Sequence, residues 1–140
     1  PSVVKKGKII HIAQPLFRIY EKMGMKLHRD LFSNCLKLVY TDPLLEVDLK
    51  SAGRASLMRQ THNNHLVLHL LYASPIMRGE IEVIEDIVPL YDINVSLQMD
   101  QSPNKVTCVP EDQPINFKYE SGHLTFVVDK LDMHKMIEIS

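Results

Sequence analysis

The eight residues from His65 to Tyr72 constrain this chain more than any other stretch. Leu66, Leu68, Leu70 and Tyr72 fall on one side of an extended backbone, and His65, Val67, His69 and Leu71 on the other. One side is wholly apolar and the other mixed, so the segment predicts an inner strand whose apolar face is covered by a second sheet. Arg54–Gln60 supplies a second arm. Asn63-Asn64 between the arms reads as a two-residue turn, because Asn tolerates the positive φ that a primed turn demands twice.

The same period of two recurs downstream. Glu80–Val88 alternates charged and apolar residues and predicts a strand with one wet face, after a turn at Arg78-Gly79. Tyr91–Met99, Lys105–Val109, Ile115–Tyr119, His123–Val128 and Met136–Ile139 predict further strands, with Glu120-Ser121-Gly122 as the turn of a second hairpin. Short strands at this spacing argue a β-sandwich.

The first third follows another rule. Lys8–Ala13 is a short apolar run that predicts a buried strand, stopped at Gln14-Pro15. Leu16, Tyr20, Met23, Leu27, Leu31, Cys35 and Leu38 then recur at spacings of three and four, a helical stripe. Gly24 breaks it into a short helix to about Met23 and a longer one from about Met25 to Val39, ended before Asp42-Pro43. A lone strand before a helix calls for a parallel neighbour, which nothing in the chain supplies. The expected fold is therefore mainly β: an antiparallel β-sandwich over residues 44–140, preceded by one strand and a broken α-helix over residues 1–43. Leu16, Tyr20, Leu27, Leu31 and Leu38 are the expected interface of that arm, and the free edge of Lys8–Ala13 predicts self-association into a homo-oligomer.

Sixteen Lys and Arg stand against seventeen Asp and Glu, a net charge of -1. No basic excess exists to neutralise phosphates, so nucleic acid is not an expected partner. No apolar run approaches the ~20 residues of a membrane span, so a membrane is not expected either. Cys35 and Cys108 lie far apart without a zinc-type neighbourhood, and two free buried thiols are expected. The chain opens on Pro1-Ser2-Val3, which predicts a piece of a longer or processed protein, with the cytoplasm as its expected compartment.

Chemistry-bearing residues are few. His62, His65 and His69 invite a metal reading, but His65 and His69 stand about 13 Å apart along one strand, beyond the reach of ~2 Å zinc–nitrogen bonds. Glu80, Glu82, Glu85 and Asp86 cluster as a glycosidase pair could, with Glu80 and Glu82 roughly 6–7 Å apart on a strand; their alternation with Ile and Val is that of the wet face of a sheet, which is the expected reading. Tyr91, Phe117 and Tyr119 are candidates for a sugar-stacking platform. No nucleophile elbow or phosphate loop is present. Neither a catalytic residue, a cofactor site nor a metal site is expected.

Gly7–Tyr40, with Pro15, Phe17, Tyr20, Gly24, Arg29, Asp30, Leu31, Asn34 and Leu36, resembles the last strand and helices of the flavodoxin-like trimerisation domain of bacterial β-galactosidases. His65–Leu97, with His69, Leu70, Leu71, Pro89 and Leu90, is similar to the C-terminal β-sandwich of the same glycosidase-like proteins, although Tyr72-Ala73 stands where they have Asn-Tyr. Pro114, Phe117, Tyr119, Gly122, Phe126, Val128, Leu131, His134 and Met136 resemble the closing hairpin of such sandwiches. The resemblance implies a non-catalytic C-terminal accessory domain of a glycoside hydrolase, supporting its folding or oligomerisation. Its partners would be the parent's upstream catalytic barrel and α/β domain, of which residues 1–43 are the end. An independent carbohydrate-binding module is the alternative.

Overall fold

A computed structural model describes residues 2–140 and divides them into two compact units, split between Pro43 and Leu44. The first unit opens with an antiparallel ribbon of β1 (Val3–Lys6) and β2 (Ile9–Ile12), in which Val3 faces Ile12 and Lys6 faces Ile9. Gly7 turns it at φ 57°, a conformation that suits a residue without Cβ. The arm thus holds a two-stranded hairpin where one strand was expected, and β1 covers one edge of β2. Nor is β2 a buried strand: Ile9 is 72% exposed. The KIIHIA run found its partner in Val3–Lys6 just before Gly7, not in a parallel neighbour.

Helix α1 (Leu16–Met23) starts after Pro15, whose φ of -75° already matches a helical entry. Gly24 ends it in the left-handed conformation and donates its amide to the Tyr20 carbonyl at 2.7 Å. Helix α2 (Lys26–Lys37) follows after extended Met25. The break falls where the glycine predicted it. Phe17 and Phe32 meet edge-to-face with centroids 5.0 Å apart, clasping the two helices.

The second unit is all antiparallel. Its strands are β3 (Leu45–Val47), β4 (Arg54–Arg59), β5 (Leu66–Leu71), β6 (Ile76–Arg78), β7 (Ile81–Val83), β8 (Leu90–Gln98), β9 (Val106–Val109), β10 (Gln113–Pro114), β11 (Phe117–Glu120), β12 (His123–Leu131) and β13 (His134–Ile139). A five-stranded sheet in the order β10-β9-β13-β5-β4 stacks on a four-stranded sheet in the order β11-β12-β8-β3, while β6 and β7 pair only with each other. This is the expected β-sandwich.

Its interior is built by alternation. Leu68 and Leu70 from β5, Val106 and Cys108 from β9 and Ile137 and Ile139 from β13 meet Ile93, Val95 and Leu97 from β8 and Leu124, Phe126 and Val128 from β12. Leu66 and Tyr72 pack on the same core, so the predicted inward face of His65–Tyr72 is the observed one. Burying each large aliphatic stabilises by roughly 1.5–3 kcal/mol, which makes this interior the main source of stability. At Asp92 the backbone turns left-handed, at φ 53°. The pleat changes phase there: Val128 and Ile93 pair inward, and so do Leu131 and Leu90 three positions on. Tyr91 is thereby left 61% exposed.

Two turns differ in kind. Ser121 and Gly122, both at positive φ, join Glu120 to His123 as a two-residue primed turn, as their sequence predicts. The β4–β5 loop is longer than Asn63-Asn64. Gln60 and His65 close it (amide to carbonyl, 2.8 Å), Asn64 donates its amide back to the Gln60 carbonyl at 3.0 Å, and of the two asparagines only Asn64 is at positive φ. Asn63 instead caps the return arm, its side-chain oxygen accepting from the His65 amide at 3.1 Å. The largest departure is at Glu80–Val88. Only Ile81–Val83 is strand, and Ile84, Ile87 and Val88 are exposed rather than facing a core.

Candidate functional site

The outward face of the five-stranded sheet gathers the polar chemistry. Its pleat points His69 from β5 and His134 and Glu138 from β13 away from the core. His69 Nδ1 and His134 Nε2 lie 3.2 Å apart, with ring planes 4° from parallel and centroids 5.4 Å apart. The long centroid separation and short nitrogen separation place the two nitrogens head to head, so the contact is a hydrogen bond, one ring donating and the other accepting, rather than a stack. His65 Nδ1 lies 2.9 Å from Glu138 Oε1. His65 and His69 are thus held by separate partners, as their spacing along the strand requires, and His62 joins neither. Among the described residues no three His, Cys, Asp or Glu side chains gather to hold a metal ion.

Beside His134 lies a shallow hollow of about 240 Å³, lined by Ala52, Arg54, Leu71, Tyr72, Ala73 and Met133. Arg54, Leu71 and His134 form one row across β4, β5 and β13. The floor is apolar with a basic group at either end. It holds no pair of carboxylates and no nucleophile, so it offers a surface for contact and not a proton-transfer site.

The acidic residues gather elsewhere. Glu85 receives Arg78 in a forked ion pair, its Oε2 2.5 Å from one terminal nitrogen and both its oxygens 3.2 Å from Nε. That pairing raises the Arg78 pKa further. Glu80 sits in the turn between β6 and β7, and Glu82 on β7. The cluster therefore decorates a ribbon and its following loop, not the wet face of a broad sheet. The aromatic trio is also dispersed. Phe117 and Tyr119 pack on the core, and the Tyr119 hydroxyl donates to the Met99 carbonyl at 3.0 Å, whereas Tyr91 faces out. No sugar-stacking platform forms from these three. Cys35 and Cys108 are free and buried. Burial pushes the Cys108 thiol up, away from the thiolate a nucleophile needs.

The arm residues expected at an interface divide. Leu16 is 4% exposed and Leu31 half-buried, while Tyr20, Leu27 and Leu38 are open to solvent. Phe17 and Met23, which the stripe either missed or placed inside, are among the most exposed apolar residues of α1.

No family model and no curated protein matches the chain. Among solved structures, the chain is similar to the α-L-fucosidase isoenzyme 2 of Paenibacillus thiaminolyticus, with a TM-score of 0.92 and 31% identity over 100% of this chain and 22% of that one. The chain thus spans about a fifth of the length of a glycoside hydrolase that it resembles from end to end. The neighbour is an α-L-fucosidase, so this likeness supports a part of a glycoside hydrolase and not the β-galactosidase-like type in particular.

Proposed function

We propose that this chain is a non-catalytic accessory region of a glycoside hydrolase whose substrate is an α-L-fucoside, and that it braces the parent's fold or assembly. The observation that carries the proposal is the end-to-end likeness to 22% of an α-L-fucosidase chain. Support also comes from what the side chains do. The sandwich spends its alternation on filling an interior, and its outward polar groups satisfy one another in pairs.

In this reading residues 1–43 close an α/β domain of the parent. The rest of that domain covers Tyr20, Leu27 and Leu38, with Leu16 and Leu31 beneath them. The parent's upstream barrel carries the catalytic acids, and two unpaired thiols suit a cytoplasmic setting.

The test is a pair of assays on 4-nitrophenyl α-L-fucoside. The full-length gene product is expected to hydrolyse it, and the 140-residue chain alone to leave it intact. Turnover by the chain alone, lost on Glu82→Gln, would overturn the accessory role. A full-length product that cleaves the β-galactoside and not the α-L-fucoside would overturn the substrate assignment.

A further inference from the structure

Two imidazoles and a thioether share one spot on the outward face of the five-stranded sheet. The β5–β13 register sets Met136 directly opposite His69, and His134 lies two residues before Met136 on the same face. Opposed Cβ atoms stand about 4.5–5.5 Å apart and diagonal ones about 7–8 Å or less, within reach of side chains this long. The imidazoles already meet, with His69 Nδ1 3.2 Å from His134 Nε2. Two imidazole nitrogens bound at about 2 Å to one ion stand about 3.3–3.5 Å apart at tetrahedral to trigonal angles. The strand pairing therefore sets the spacing of a chelate in advance. Charge does not account for the pairing: His65 has a carboxylate partner in Glu138, whereas His69 and His134 have one another in place of a carboxylate.

We infer that His69 Nδ1, His134 Nε2 and Met136 Sδ bind one Cu(I) ion. The donor set selects the ion. Imidazole suits copper and zinc alike, but a thioether ligand favours soft Cu(I) over the harder divalent ions. The surrounding charge points the same way. Arg54 lies diagonal to His69 across the β4–β5 pair, and Glu138, two residues beyond Met136, is engaged by His65. With a fixed cation nearby and an uncharged donor set, one positive charge is repelled less than two. Binding requires a lone pair on both facing nitrogens. The ring that donates the present hydrogen bond moves that proton to its other nitrogen by exchange with water, so no net proton is released. Both rings then swing from head to head toward a common point. His134 is exposed and borders the hollow at Arg54 and Met133, which gives it room to turn. Met136 is unbranched, so its sulfur adapts to the position the rings define.

The test adds Cu(I) alone to the 140-residue chain, under ascorbate without oxygen, with free Cu(I) buffered by a chelator. NMR follows the ring nitrogens of His69 and His134 and the methyl group of Met136, which report this site whatever the Cys35 and Cys108 thiols do. The expected result is one set of shifts, in both rings and the methyl at the same free Cu(I) concentration. The affinity read from those signals should fall at least about a hundredfold in His134→Gln and about tenfold in Met136→Leu. His134 is exposed and leucine nearly matches methionine in volume, so both variants are expected to keep the sandwich, as circular dichroism would record. Cu(I) taken up with both rings unmoved would overturn the site and assign the ion to the thiols. Rings that shift without the methyl, with Met136→Leu binding as tightly as the parent chain, would overturn the thioether ligand and with it the choice of Cu(I). Tighter binding of Zn(II) than of Cu(I) at the same rings would overturn that choice too.

Discussion

The sandwich and the arm obey the same local rules and end in different states. In the sandwich, alternation places leucines and valines on facing sheets, and Leu68, Leu97, Leu124 and Ile137 have no exposed surface. In the arm, the helical period and the Gly24 stop are equally clear, yet Phe17, Met23, Leu27 and Leu38 remain more than half exposed. Periodicity states which side chains share a face; it does not state that anything in the same chain covers that face. The sandwich contains its own cover. The arm leaves Phe17, Met23, Leu27 and Leu38 on the surface.

The sharpest way to break that contrast is to cut the same residue type in each region. Leu68→Ala should cost about 2–5 kcal/mol in urea unfolding of this chain, because it leaves a cavity between sheets. Leu27→Ala, at 69% exposure, should stay within about 0.5 kcal/mol. Similar costs would erase the distinction. Within the arm, Phe17→Ala removes the edge-to-face contact with Phe32, worth about 0.5–1.5 kcal/mol. The expected signature is loss of helical circular dichroism with the sandwich's unfolding midpoint unmoved. Within the sandwich, Tyr119→Phe deletes the bond to the Met99 carbonyl and should cost about 0.5–1.5 kcal/mol at the same midpoint.

The smallest effect is electrostatic. Lys26, with Arg29, holds the Asp30 carboxyl below its ordinary range. A lowered folded pKa contributes stability above the unfolded carboxylate pKa and loses it as pH falls through the folded one. The helical signal of the arm should therefore weaken slightly on acidification below the usual carboxylate range. Lys26→Gln should flatten that dependence, as helical content against pH would record.

How far these elements could be read in advance depends on where the deciding information lies. The α1–α2 break is decided by Gly24 itself, and the Ser121-Gly122 turn by residues that accept positive φ. Strands His65–Tyr72 and His123–Val128 carry their burial in their own alternation. The pairing of Val3–Lys6 with Ile9–Ile12 was hidden because Lys5 and Lys6 lack strand character, and the partner's backbone, not their side chains, recruits them. Glu80–Val88 misleads for the opposite reason: its alternation is real, but within it only Ile81–Val83 pairs with another strand. The His69–His134 contact was legible only in part. Each histidine could be placed on a strand, but the register that sets them diagonally adjacent is fixed by the β5–β13 pairing across 65 positions of sequence.

Hydrogen exchange on the 140-residue chain and on the full-length gene product compares the two regions in one experiment. The account predicts that in the chain alone the amides of α1 and α2 exchange far faster than those of β5 and β13, and that in the full-length product the helices slow by at least about a hundredfold while the strands change little. Helices as slow to exchange as β5 and β13 in the chain alone would contradict it, because the arm would then need no cover beyond what these residues provide.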